Sequence, residues 1–201
     1  MARQLIVVDV ESTGLIPGFH VPLEVAAVNV TTGEELSFVP WVHPDYLGHA
    51  DPEALRINRY YERGVYKHQL PAAETLNRYC QLFDMLEGNT FGGANPRFDA
   101  HMVQVGHAVA NAQTPGRVPA SQLVLRDESW SHRLSDVQAY AAGVLGLDPA
   151  SPPSLVEVLS ELGIENLNQH SALWDARATA EAFKRLKAKR DKMYEDKDQP
   201  F

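Results

Sequence analysis

Cysteine is almost missing. Cys80 stands alone in 201 residues, so no internal disulfide can form, and no Cys/His cluster has the spacing of zinc ligands. A lone thiol in an apolar helical pattern reads as a small core residue in a reducing cytosol. Apolar runs are also short, none near the ~18 residues a membrane helix needs. Met1-Ala2-Arg3 leads straight into the first strand, without the charged leader and apolar stretch of a signal peptide. A cytoplasmic protein without membrane partners is therefore expected. Basic charge is in deficit, with 18 Lys and Arg against 26 Asp and Glu and a net charge of −8. That excludes a protein coating long duplexes, which needs a basic footprint. It does not exclude an enzyme gripping a few nucleotides at a chain end, because bound metal ions would bring positive charge to the acidic residues. No internal repeat and no linker is evident. With 44% hydrophobic residues, one domain over residues 1–190 can bury a full core, and the charged segment 191–201 is expected to fray.

What is present begins with Gln4 to Leu15, QLIVVDVESTGL. Leu5 to Val8 are apolar and mostly β-branched, and Thr13-Gly14 signals a turn, which together read as a short buried strand. Side chains two apart on a strand point the same way. Asp9 and Glu11 therefore project together from one end of a core strand. Two such charges repel unless a cation lies between them, and a hard divalent ion with oxygen ligands is the simplest neutraliser. A solvated strand end is the other reading of the same pair.

Further along, Leu23–Val30 and Leu36–Val42 read as strands around a turn at Thr31 to Glu34. With the first strand they form an antiparallel meander whose third member, holding Pro40, is an edge. Asp51 and Pro52 mark a helix start. Helices are expected from Pro71 to about Glu87, from Arg97 to Ala112, from Val137 to Leu145, from Pro152 to Leu162 and from Ser171 to about Arg190. Short strands are expected at Thr90–Ala94, Leu123–Leu125 and Arg133–Asp136. Alternating helices and strands after a meander give a mixed α/β sheet with flanking helices.

Three more places carry chemistry. Asn95-Pro96-Arg97-Phe98-Asp99 puts Asp99 in a helix's first turn, and His170 precedes the last helix, with Asp175 five residues on. Alone, Asp99 is a first-turn acid favoured by the helix dipole, His170 a loop histidine and Asp175 a surface charge. Together with Asp9 and Glu11 they make four carboxylates and one imidazole, all at element ends. In order and spacing, Asp9 to Leu15 (DVESTGL), Asn95 to Asp99 (NPRFD) and His170 to Asp175 (HSALWD) resemble the three motifs of the DEDDh, or DnaQ-like, 3′–5′ exonucleases. That group includes the proofreading exonuclease subunit of DNA polymerase III. The likeness covers roughly Gln4 to Leu186. Ala94 stands where the family often has histidine and Trp174 where it often has an acid, while Gly116 to His132 has no counterpart.

The resemblance implies a ribonuclease H-like fold and removal of nucleoside 5′-monophosphates from a single-stranded or frayed 3′ end, DNA rather than RNA, with a DNA polymerase chain as possible partner. Phosphodiester hydrolysis needs a nucleophilic water and relief of charge on the phosphate, which two divalent cations, Mg²⁺ or Mn²⁺, provide. Asp9 is expected to bridge them, Glu11 and Asp175 to complete one site and Asp99 to serve the other. His170 is expected as general base, since an imidazole titrates near neutral pH. By resemblance, Val10, Ser12, Thr13, Gly14, Leu15, Asn95 and Phe98 hold the terminal nucleotides. Two other readings are the same chemistry on RNA, as in ribonuclease T or oligoribonuclease, and a polymerase-associated binding module without catalysis. Trp130 and Trp174 are read as base-stacking or packing residues, Tyr60-Tyr61 as a possible groove border, and Gln199-Pro200-Phe201 as a docking segment.

Overall fold

The computed structural model describes residues 2–113 and 124–195. Among them a five-stranded mixed sheet is ordered β3-β2-β1-β4-β5. The strands are β1 (Leu5–Ser12), β2 (Pro22–Asn29), β3 (Glu35–Phe38), β4 (Thr90–Gly93) and β5 (Ser135–Asp136). β1 pairs antiparallel with β2, and β2 with β3; β1 and β4, and β4 and β5, pair parallel. This is the expected meander extended by parallel strands.

β1 occupies the middle and is buried on both faces, which accounts for its continuous apolar run. Ile6, Val8 and Val10 point into a core formed with α3 (Ala72–Leu86) and α4 (Pro96–Gln113), through Tyr79, Leu82, Phe83, Met102 and Val103. Val7 points the other way, with Ala26 and Val28, onto α5 (Val137–Leu145), α6 (Leu155–Glu161) and α7 (Ala172–Glu195). Ile6, Val7 and Val8 are completely buried, each stabilising the fold by roughly 1.5–3 kcal/mol. Two short helices, α1 (Pro44–Gly48) and α2 (Pro52–Ile57), and a 3₁₀ turn at Val65–His68 lie after β3. They share a third apolar cluster around Val42, Tyr60 and Val105.

The structure differs from the sequence reading in detail. β3 stops at Phe38, short of Pro40, which has no N–H to extend a ladder. The strand expected at Leu123–Leu125 is absent from its described part: Val124 and Leu125 are exposed coil, and position 123 lies outside the described residues. Cys80 is only half-buried, because Leu82 rather than Cys80 completes the inward stripe of α3. Trp130 packs against Phe83 and Phe91 inside the core, and Tyr60 is buried while Tyr61 is exposed. α7 continues to Glu195, past the point where fraying was expected. Ion pairs from Lys187 and Arg190 to Asp191 support its last turns. Gln199-Pro200-Phe201 and positions 116–123 lie outside the described residues. No helix among the described residues is long and apolar enough to cross a membrane.

Candidate active site

Asp9 and Glu11 leave β1 on the face of Val7, toward α7, at the strand's C-terminal end. The ladder to β2 loses register between Glu11 and Ser12, Ser12 then pairing with Pro22, and beyond that irregularity Thr13 to Leu15 leave the sheet. The released loop is then fastened from several sides. Thr13 is fully buried. Its N–H donates to the Val21 carbonyl (2.9 Å), its hydroxyl accepts from the Val21 N–H (3.0 Å), and its carbonyl accepts from the Asp51 N–H (2.8 Å). The Ser12 carbonyl accepts from the Asn58 side chain at 3.1 Å. Gly14, at φ 155°, lies on the ring of His20, where a Cβ would meet ring atoms at 2.5–2.7 Å. His20 is buried and its Nδ1 accepts from the Ile16 N–H at 3.0 Å. The result is that Leu15 stands in solvent, 77% exposed, at the end of this loop.

Asp99 approaches from α4. It is buried, and its Oδ1 accepts from the Val10 N–H at 3.0 Å, joining the helix start to the end of β1. Gly93 makes this approach possible, since a Cβ there would lie 2.9 Å from the Val8 carbonyl oxygen. Asn95, at φ 57°, turns the chain from β4 into α4, a conformation asparagine tolerates better than most residues. Asp175 approaches from the first turn of α7 and is also buried. Its Oδ2 accepts from the His170 N–H at 2.9 Å and its Oδ1 from the Asn166 side chain. His170 itself is exposed and has φ 61°. Ligand atoms of Glu11, His170 and Asp175 all lie within 4.8 Å of one another.

The electrostatics tie the remaining carboxylates to this group. Burial first, then the charges of Asp99, Glu11, Asp175 and Glu24, hold Asp9 well above the usual carboxylate range. Glu11 is pushed up to about 8 by burial and by Asp175 and Glu24, with Arg63 opposing. Burial raises Asp99 against the opposing Val10 N–H bond. It also raises Asp175 against its bonds from Asn166 and the His170 backbone. Burial and mutual repulsion thus leave four oxygen-donor groups short of positive charge. With an imidazole at the mouth, that donor set fits hard divalent cations.

The five chemistry-bearing residues named from the sequence come to the same end of the sheet. The residues expected to hold nucleotides divide. Leu15 and Asn95 are exposed and Phe98 half-buried, so these can meet a ligand. Val10, Ser12, Thr13 and Gly14 are buried; Thr13 and the Ser12 carbonyl fasten the loop, and the Val10 N–H is taken by Asp99. Trp174 is 38% exposed, with the Arg177 guanidinium over its ring. It borders a cleft of about 370 Å³ together with Glu24, His68, Arg78 and Ser171. Glu24, Arg63, Asn166 and His20 were not found from the sequence. Glu24 had a signal, since it faces Glu11 once the meander is registered. Arg63 had none, its partners being remote in the chain.

No curated protein matches the chain. Among solved structures, the zinc-bound complex of E. coli exonuclease I with single-stranded DNA is similar to 97% of this chain at a TM-score of 0.71 and 21% identity, with 42% of that chain covered. Its complex with a dT13 oligonucleotide gives 96% coverage, TM-score 0.70 and 21% identity, with 43% of that chain covered. A moderately thermophilic exonuclease I from Methylocaldum szegediense gives 95%, 0.68 and 22%, with 41% covered. The chain thus spans less than half the length of these proteins, and the likeness places it in their ribonuclease H-like fold. The RNase_T family model, described as exonuclease, matches residues 6–183, and the chain belongs to that exonuclease family.

Proposed function

We propose that the chain is a metal-dependent 3′–5′ exonuclease of the DEDDh type that removes nucleoside 5′-monophosphates from DNA 3′ ends. The observation that carries this is the convergence of Glu11, His170 and Asp175 within 4.8 Å on the sheet end that also holds Asp9 and Asp99. Asp9, Glu11, Asp99 and Asp175 would hold two Mg²⁺ or Mn²⁺ ions. Bound there, the ions supply charge relief on the phosphate and lower the pKa of the attacking water. His170 takes that water's proton on its imidazole, which its exposed position beside Glu11 and Asp175 allows. The water oxygen bonds to phosphorus, the bond to the preceding 3′ oxygen breaks, and that oxygen takes a proton from solvent. A new 3′-hydroxyl end and a nucleoside 5′-monophosphate result. Leu15, exposed on the loop that follows Glu11, and Asn95 and Phe98 at the start of α4 would meet the terminal bases and sugar. DNA is favoured because the similar E. coli exonuclease I structure holds single-stranded DNA.

A time course on 5′-labelled single-stranded DNA and RNA of equal sequence, with Mg²⁺, Mn²⁺ or EDTA, tests the reading. A metal-dependent ladder shrinking from the 3′ end, faster on DNA, is expected. A faster RNA ladder assigns the chemistry to RNA. Intact substrates with metal present overturn catalysis and leave a nucleic-acid-binding module.

A further inference from the structure

We propose that Arg63 is a positioning residue that aims the His170 imidazole by holding its backbone; this rests on the reading of His170 as general base. The guanidinium of Arg63 binds both carboxylate oxygens of Glu24, at 2.6 and 2.8 Å. The two side chains are only 16% and 15% exposed. Glu24 lies on β2 in register with Glu11, so the fork is anchored to the strand pair that carries the site. The terminal nitrogen 2.6 Å from Glu24 carries two N–H groups and shares them among three acceptors, the other two being the carbonyls of Asn58 (3.0 Å) and His170 (2.7 Å). Arg63 is itself fixed, its N–H donating to the Arg59 carbonyl at 2.8 Å.

His170 needs such a hold. Its φ of 61° is one that residues with a Cβ rarely adopt without support. Two bonds keep it there: its N–H donates to Asp175 at 2.9 Å, and its carbonyl accepts from Arg63. The imidazole is exposed, and the backbone sets the direction of the Cα–Cβ bond from which it swings. Without Arg63 the carbonyl loses its partner, the turn relaxes and the ring sweeps a wider arc. Lysine at 63 keeps the charge but not the planar fork that binds a carboxylate and two carbonyls together.

The test compares wild type, R63M, R63K, H170A and the R63M/H170A double variant. Readouts are kcat and KM on a 5′-labelled single-stranded oligonucleotide, Mn²⁺ affinity by calorimetry, and the His170 imidazole resonance by NMR. R63M is expected to lower kcat by on the order of 10²-fold, as for a displaced catalytic group, with KM unchanged and Mn²⁺ affinity not reduced. R63K recovers little of the rate. The double variant is no slower than H170A, because both changes act through one group. The His170 resonance, single in wild type, broadens or splits in R63M whatever the rate. A wild-type rate in R63M, losses that multiply in the double variant, or Mn²⁺ affinity falling in step with kcat would overturn the proposal. If R63M does not fold, R63K carries the same comparison. A wild-type rate in H170A removes the general-base reading instead, and the NMR result then decides the positioning claim alone.

Discussion

Glu11 and Glu24 stand opposite each other across the β1–β2 ladder, two carboxylates at a cross-strand pair where like charges destabilise a sheet. Arg63 relieves one of them through a two-pronged ion pair, and Glu11 remains with the acidic group at the sheet end. The β1–β2 pair therefore carries one neutralised and one uncompensated acid.

Glu24→Gln leaves the Arg63 guanidinium without its counter-charge in a largely covered position. A cost of ~2 kcal/mol is expected once solvent screening is allowed for, lowering Tm by roughly 5 °C in a chain of this size. Thermal unfolding followed by circular dichroism checks it. A Tm equal to wild type would show that the pair contributes nothing to stability.

The raised pKa of Glu11 sets a pH dependence for the metal-free protein. Its carboxyl keeps a proton up to about 8 in the folded chain against an ordinary 4.5. Between these values the folded state binds more protons than the unfolded state. The stability that protonated Glu11 contributes is complete below about 4.5 and is lost as pH rises through about 8. Tm of the protein in EDTA should therefore fall between pH 5 and pH 8, and added Mn²⁺ should raise it more at pH 8 than at pH 5. An EDTA profile that rises over this range would contradict the assigned crowding.

Asp9→Asn and Asp175→Asn are expected to drop activity below detection while the fold persists. Asp9→Asn should also raise the metal-free Tm by about 3 °C, equivalent to about 1 kcal/mol of relieved repulsion and burial of charge. Near-normal turnover in either variant would remove that residue from the cation-holding set.

Asn95→Ala and Asn95→Gly separate backbone demand from side-chain demand. At φ 57° alanine carries a cost of about 1 kcal/mol that glycine does not. Urea unfolding should find the alanine variant the less stable of the two. Equal midpoints would mean that the turn into α4 adapts to either residue.

What the sequence made legible follows from locality. β1, the meander, α4 and α7 announce themselves through apolar period and end signals within a few residues. Asp51 caps α2 as its spacing before Pro52 implies, its side chain accepting from the Glu53 N–H. The five chemistry-bearing residues were named because each sits in a short pattern at an element end. β5, with two residues, is too short for any period to reveal its bounds. α1 is a five-residue helix with no buried residue and thus no apolar face to read. The contacts from Arg63 to Glu24 and to the His170 carbonyl join three distant parts of the chain, and nothing near Arg63 signals either. His20 gave no sign either, since its work is to fill the space beneath a glycine.

The placement of α7 has a consequence for synthesis. β1 leaves the ribosome before α7, yet α7 packs on β1 and β2 and supplies Asp175 from its opening turn. A nascent chain can pair β1 with β2 early, while His170 and Asp175 still await translation and docking. Contacts of such long sequence separation form late. The proposed activity should therefore arrive only once α7 has docked.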